Sequence, residues 1–271
     1  MTTLGAIFTP QNPPETLREI ARSADEAGLE ELWLWEDCFL NGGISAAAAA
    51  LAWTSRVRVG VGITPVPFRN VAVQAMEIAT LRRMFGERAI VGVGHGVQEW
   101  MGQVGARVTS PLTLLREYVS ALRSLLAGES VTATGRYVNL DRVKLDWPPD
   151  PAPEIVIGAT GPKTLALAGA LGDATILTAS TTVEGVREAR GHIGADDHRV
   201  IVFVEAAAGS GAERRVREAS ALTGDAAAIA AGVRRFAEAG ADSVILQPTP
   251  DEPDTADFIR FVAREVRPLI A

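Results

Sequence analysis

His95 is the residue of this 271-residue chain best suited to proton transfer near neutral pH. It lies in the segment GVGHG at positions 92–96. An imidazole, with an unperturbed pKa of about 6.5, can act as a general acid or base, and Gly94 gives the adjoining backbone unusual freedom. His192 and His198 lie between a predicted helix and the next strand, so both are expected on the surface. The three histidines form no pattern of metal ligands, and no metal site is predicted.

Two adjacent carboxylates, Glu36 and Asp37, follow a short apolar run. They could hydrogen-bond a cofactor ring or a substrate, or they could be ordinary charges in a solvated loop. Successive residues at the end of a strand point to opposite faces, so we expect only one of the two to face a site. Asp37 is the favoured candidate.

Two predicted helix starts carry groups that could hold a phosphate. The segment GATGPK at positions 158–163 combines glycines, a proline at a predicted first helical position and Lys163, one of only two lysines in the chain. Free N–H groups beside a cation suit an anion, although a plain helix start uses the same residues. Positions 178–182, TASTT, place hydroxyls at another helix start, where they could cap the helix or bind the same anion.

Strand-like and helix-like segments alternate along the whole chain. The predicted strands are residues 4–8, 32–35, 57–63, 89–93, 155–157, 174–177, 199–205 and 243–246. The predicted helices are residues 14–27, 44–53, 71–84, 111–126, 165–171, 183–192, 226–239 and 255–266. Such alternation predicts a parallel sheet, and eight units favour a closed (β/α)8 barrel over an open doubly wound sheet. Residues 130–153 read as a hairpin and loop inserted within a single domain spanning 1–271.

Composition excludes several classes of protein. A formal net charge of −7 argues against binding to a nucleic acid backbone. The longest apolar run, residues 44–53, is shorter than the roughly 20 residues of a membrane span. A single cysteine, Cys38, and the lack of a secretory leader predict a cytoplasmic protein. No glycine-rich dinucleotide motif follows the first strand, where TPQN stands at positions 9–12, so a nicotinamide-binding Rossmann domain is disfavoured.

The order and spacing of several motifs resemble the luciferase-like family of flavin and deazaflavin oxidoreductases, in particular its branch that uses coenzyme F420. The motifs are LWLWED at 32–37, VGVGI at 59–63, the helix at 75–88 running into IVGVG at 90–94, IGATGPKTLALAG at 157–169 and GDATI at 172–176. The resemblance covers nearly the whole chain. It implies a (β/α)8 barrel that holds a small-molecule substrate and the cofactor at the carboxyl ends of its strands, and it makes a homodimer an expectation.

The resemblance also implies roles for individual residues. It implies that Gly62 and Ile63 are joined by a cis peptide bond whose bulge supports the central ring of the cofactor. The catalytic residues expected on this basis are His95 and Asp37. The expected cofactor-binding residues are Gly62, Ile63, Gly94, Gln98, Gly158, Ala159, Thr160, Gly161, Lys163, Thr178 and Ser180. Two positions depart from the pattern, because Cys38 stands where related deazaflavin enzymes often have a histidine and His95 where several have an acidic residue.

Four functions are compatible with these residues to different degrees. The favoured one is hydride transfer between coenzyme F420 and a small organic substrate, and its close variant is an FMN-dependent monooxygenase. A non-catalytic flavin-binding or deazaflavin-binding protein would also fit the two departures. A Schiff-base aldolase needs a lysine in the barrel mouth. It is disfavoured because Lys144 falls in the inserted segment and Lys163 at a helix start.

Overall fold

A computed structural model of the chain, which describes residues 2–270, contains a closed barrel of eight parallel strands. In chain order the strands are β1 Thr3–Phe8, β2 Glu31–Leu34, β3 Arg58–Pro65, β4 Ala89–Gly94, β5 Val131–Thr134, β6 Asn139–Val143, β7 Val156–Gly158, β8 Ala174–Leu177, β9 Arg199–Ala208, β10 Leu222–Gly224 and β11 Ser243–Pro248. Around the barrel the order is β9, β11, β1, β2, β3, β4, β7 and β8, and pairing of β8 with β9 closes it. The predicted barrel is confirmed.

Helices cover the outside of the barrel. They are α1 Leu17–Ala27, α2 Gly43–Trp53, α3 Val71–Phe85, α4 Gln98–Gln103, α5 Pro111–Leu126, α6 Pro162–Leu171, α7 Val183–Ile193, α8 Ala212–Arg215, α9 Ala226–Glu238 and α10 Thr255–Phe261. Side-chain caps mark where several helices begin. Asn70, Asp225 and Asp254 each accept a hydrogen bond from a first-turn N–H, in α3, α9 and α10 respectively. None of the helices within residues 2–270 has the length and apolar character needed to cross a bilayer.

The alternation of side chains along each strand divides the apolar residues into two cores. One lies between strands and helices, and the other fills the inside of the barrel with Trp33, Ile176, Phe203 and neighbouring aliphatic residues. Gly60 makes room for the buried indole, because a Cβ at Gly60 would lie 2.4 Å from the Trp33 ring. This packed interior forms the floor beneath the carboxyl ends of the strands.

The structure adds three short elements that the sequence patterns do not reveal: α4, α8 and β10, which extends the sheet beside β9. Each has six residues or fewer, which is too short for a helical or strand periodicity to be recognised in the sequence. The strand β3 continues two residues beyond its predicted end, to Pro65. The antiparallel hairpin β5–β6 lies within the segment predicted as an insertion.

The expectation that His198 lies on the surface is wrong. Its side chain is buried, and its Nε2 lies 2.7 Å from the Thr175 hydroxyl. The hydroxyl satisfies the ring nitrogen, which removes the main cost of burying it. His192, at the end of α7, is exposed as expected.

Candidate active site

A cavity of about 550 Å³ opens at the carboxyl ends of the barrel strands, within the size range of small-ligand sites. Most of the predicted site residues line it: Asp37, Gly62, Ile63, Gly94, His95, Gly158, Ala159, Thr160, Thr178 and Ser180. Gln98, Gly161 and Lys163 are not among the lining residues. Seven of the barrel strands supply the lining through their ends or the loops that follow, which is the usual arrangement in barrels of this kind.

Ile63 projects from the floor of the cavity at a bulge in β3. The register between β3 and β4 shifts between Val61 and Thr64, and the Gly62–Ile63 peptide bond is cis, as the family resemblance implied. Two glycines give Ile63 its space, since a Cβ at Gly158 would lie 2.9 Å from Ile63 Cγ2 and one at Gly94 3.2 Å from Ile63 Cγ1. A larger residue at either position would therefore push Ile63 out of place.

One end of the cavity presents hydroxyl and amide groups. Residues 178–182 were predicted either to cap a helix or to bind an anion, and Thr182 has the capping role. It caps α7 by accepting a hydrogen bond from Gly185 N at 3.0 Å. Thr178 and Ser180, whose hydroxyls lie 3.0 Å apart, face the cavity instead. The start of α6 at Pro162 has no side-chain cap. Pro162 has no N–H, and Thr164 N already donates to the Gly161 carbonyl at 3.0 Å. Within the described first turn, the N–H of the exposed Lys163 therefore remains available to an anion.

Glu36 and Asp37 both contribute to the cavity wall, contrary to the expectation that only one would. Their surroundings nevertheless differ. Arg69 donates two hydrogen bonds to Glu36, one of them at 2.7 Å, and Gly43 N donates another at 2.8 Å. No group within residues 2–270 donates to the Asp37 carboxylate, and burial raises the pKa of Asp37. Asp37 is thus the carboxylate free to interact with a ligand.

His95 lines the cavity with its Nε2 3.3 Å from the Thr164 hydroxyl. Burial lowers the pKa of His95, and the Pro111 carbonyl opposes this shift in part. The imidazole is therefore mainly neutral at pH 7, a state in which one ring nitrogen can accept a proton. Gln98 turns away from the cavity and donates to the His95 carbonyl at 3.2 Å, so it supports the loop that carries the histidine.

Several lining residues were absent from the sequence prediction: Trp35, Trp100, Thr164, Phe203, Glu218 and Gln247. Trp35 and Gln247 lie at or beside strand ends, so inspecting every strand end would have found them. Glu218 comes from a loop ten residues beyond the end of β9, and no local pattern marks it. Within the described residues, no group of three or more histidine, cysteine or carboxylate side chains is arranged to hold a metal ion.

Comparison with known proteins shows the family of this chain. Residues 2–253 match the luciferase-like monooxygenase family, and the chain belongs to it. A 5,10-methylenetetrahydromethanopterin reductase of Methanolobus tindarius is 34% identical over 66% of this chain and 54% of its own length. An F420-dependent glucose-6-phosphate dehydrogenase of Kineococcus radiotolerans is 36% identical over 62% of this chain and 53% of its own. The matches thus span about half the length of these curated relatives.

Solved structures show the same fold at lower identity. An F420-dependent secondary alcohol dehydrogenase, in complex with an F420-acetone adduct, superposes with a TM-score of 0.88 at 22% identity over 100% of this chain and 99% of its own. The coenzyme F420-dependent tetrahydromethanopterin reductase of Methanopyrus kandleri gives 0.87 at 20% identity over the same shares. The likeness establishes the barrel architecture.

Proposed function

We propose that this chain is an oxidoreductase that transfers a hydride between coenzyme F420 and a small organic substrate. The observation that carries the proposal is the combination found in one cavity. An apolar floor at Ile63 adjoins the uncapped start of α6, the hydroxyls of Thr178 and Ser180, and a neutral imidazole at His95. The curated relatives named for F420 support the choice of cofactor.

The residues present fit such a cofactor. Gly62, Ile63 and Gly94 would support the ring from below. The anionic part would contact Gly158, Ala159, Thr160, Gly161, Thr178 and Ser180, with Lys163 reaching it from the exposed start of α6. When bound, the deazaflavin supplies hydride chemistry, and the protein contributes binding, orientation and electrostatics. His95 would hold or release the accompanying proton at Nε2, while Asp37 would orient the substrate and Gln98 would keep the His95 loop in place.

Fluorescence and absorbance titration of the purified chain with F420 and with FMN tests the proposal. We expect saturable binding of F420 and none of FMN. Binding of FMN alone would support an FMN-dependent monooxygenase instead. Binding of F420 without detectable turnover would indicate a non-catalytic binding protein. Turnover that survives both His95→Ala and Asp37→Ala unchanged would contradict the catalytic roles of these two residues.

We further propose that the single domain 1–271, with its insertion at 130–153, works as a cytoplasmic homodimer that uses α3 as its interface. Val73, Met76 and Met84 are exposed on this helix, and exposed apolar patches of this kind often mark contact surfaces. Light scattering after size-exclusion chromatography tests it: we expect a dimer, and a monomer for Met76→Glu. A wild-type monomer would contradict the proposal.

A further inference from the structure

The charged groups that line the cavity are predominantly acidic. Glu36, Asp37 and Glu218 are lining residues, and among the described residues no lysine or arginine is. Arg69, the cation beside this wall, is occupied by Glu36 and by Glu77, whose Oε2 lies 3.2 Å from Arg69 Nε. Asp37 and Glu218 are therefore the carboxylates whose charge is left uncompensated.

Glu218 reaches the cavity because a buried carboxylate in β9 holds its backbone. Glu205 is 2% exposed, and its Oε2 accepts hydrogen bonds from Arg217 N at 2.6 Å and from Glu218 N at 2.8 Å. Ser220 Oγ donates to the Ala179 carbonyl at 2.9 Å, which ties the same segment to the loop after β8. No group within residues 2–270 donates to the Glu218 carboxylate, and Glu218 is among the residues that line the cavity.

The cations near this segment are likewise occupied or directed elsewhere. Arg215 donates to Glu252 at 2.8 Å and to the Ala208 carbonyl at 2.6 Å. Arg217 is exposed and is not a lining residue. An anionic substrate in the cavity would therefore meet carboxylates without a compensating cation.

The two uncompensated carboxylates lie at different distances around the barrel mouth from the hydroxyl and amide groups. Asp37 follows β2 and Glu218 follows β9, which flank the side formed by β1 and β11. The groups suited to the anionic part of the cofactor follow β7 and β8. Glu218 adjoins the hydroxyl groups, because β9 pairs with β8 and Ser220 bonds to Ala179 between Thr178 and Ser180. In barrel order it therefore stands between these groups and Asp37, with Trp35 and Phe203 stacked at a ring-centroid distance of 6.4 Å between β2 and β9.

We propose that Glu218, held in place by Glu205, determines specificity by excluding anionic substrates, so that the enzyme accepts uncharged organic substrates and rejects phosphorylated or carboxylated ones. This inference rests on the proposed function, because it concerns the substrate side of the same cavity. A like charge placed against a target is a common means of discrimination. Glu205 is a positioning residue, since it acts through the backbone of the segment that carries Glu218.

Collisional quenching of F420 fluorescence in the loaded protein tests the proposal without needing the substrate. Iodide is the anionic quencher and acrylamide the neutral one, and the ratio of their Stern–Volmer constants reports exclusion of anions. We expect Glu218→Gln to raise this ratio roughly twofold or more at low ionic strength, since local charge controls the concentration of ions near a site. Glu213→Gln, a matched change at an exposed position outside the lining, should leave it unchanged.

Variants of Glu205 test whether this residue acts by holding the backbone of Glu218 in place or only by stabilising the fold. Glu205→Ala should raise the iodide-to-acrylamide ratio as Glu218→Gln does, and Glu205→Gln, whose amide oxygen can still accept both N–H groups, should restore most of the exclusion. Equal ratios in wild type and Glu218→Gln would overturn the proposal. So would saturable binding of glucose 6-phosphate to the loaded wild-type protein. Failure of F420 to bind at all would instead contradict the proposed function, which the initial titration detects separately.

Discussion

Two carboxylates at opposite ends of the barrel, Glu31 and Asp37, differ in the hydrogen-bond donors around them. At the amino ends of the strands, Glu31 is fully buried and accepts from Trp33 Nε1 at 2.8 Å and from Arg58 at 2.9 Å. At the carboxyl ends, Asp37 is half-buried with no donor among the described residues. The first arrangement gives each oxygen of the Glu31 carboxylate a donor, whereas the second leaves the Asp37 carboxylate available to a ligand.

The difference indicates where stability and function reside in this chain. A buried carboxylate with partners contributes to the folded state as long as those partners remain. A partly buried carboxylate or imidazole without partners costs stability, and proteins retain such groups where a ligand uses them. The five predictions that follow test this contrast, ordered from the largest expected effect to the smallest.

Replacing His95 should have the largest effect, and it should act on activity. His95→Ala is expected to lower kcat roughly 100-fold or more, because a positioned acid or base typically contributes that much. Steady-state kinetics with F420 and an identified substrate measures it. The unfolding midpoint should change little, since the His95 side chain is only half-buried and its contact with the Thr164 hydroxyl is a long one, at 3.3 Å. His192→Ala, at an exposed site, is the control, and equal kcat values in the two variants would remove His95 from the mechanism.

Replacing Glu31 should affect stability without affecting the cofactor. Glu31→Ala is expected to lower the free energy of unfolding by about 2–3 kcal/mol, because it leaves the Trp33 indole N–H and one face of Arg58 without a partner. Urea denaturation measures the loss. Affinity for F420 should remain within about twofold of wild type, since this residue lies at the far end of the barrel. A large loss of affinity would show that the two ends are not independent.

Replacing Gly158 should weaken the cofactor site through packing. A Cβ there would meet Ile63 at 2.9 Å, and overpacking of this kind costs about 1–3 kcal/mol. We therefore expect Gly158→Ala to raise the Kd for F420 about tenfold or more. Gly191→Ala is the matched control, since nothing lies within 4 Å of a Cβ at this exposed position in α7. Unchanged affinity in Gly158→Ala would argue against Ile63 as the support of the ring.

The smallest effects should appear in the pH dependence of stability. Burial raises the pKa of Asp37 above its usual 3.8, so the folded state favours the protonated form and ionisation at neutral pH costs stability. Asp37→Asn should therefore stabilise the protein at pH 7, by less than about 1 kcal/mol because the group is partly exposed. The gain should shrink as the pH falls through the raised pKa towards 3.8. A loss of stability at pH 7 would reveal a partner for this carboxylate.

Asp25, at the amino end of the barrel, has a pKa shift opposite in direction to that of Asp37, and its effect on stability is therefore also opposite. Burial alone would raise its pKa, but hydrogen bonds from Val57 N, Arg56 N and Ser55 N outweigh it and lower the pKa below 3.8. Its contribution to stability is thus present above pH 3.8 and disappears as the pH falls through the lowered value. Urea denaturation at pH 7 should show Asp25→Asn less stable than wild type. Stabilisation by both substitutions would abolish the contrast between the two ends.

Local sequence patterns were sufficient to predict the barrel. Strand and helix periodicity is local, and proline, glycine and capping residues mark the ends of elements, so the eight alternating units were recognisable. The position of the site followed, because parallel strands in a barrel bring their carboxyl ends together. His95, Gly158 and Thr178 were predicted at one site on this basis, and all three line the cavity. The spacing of motifs also indicated the family, to which the match over residues 2–253 assigns the chain.

The sequence by itself thus determined the alternation of elements, the family and the end of the barrel that holds the cavity. Only the tertiary structure decided which polar groups are satisfied and which are free. Arg69 donates to Glu36 and not to Asp37, and Thr182 caps α7 whereas Thr178 lines the cavity. Glu205 brings Glu218 into the cavity from thirteen positions away. The physical reason is that a hydrogen bond depends on distances between residues remote in sequence, which periodicity does not encode.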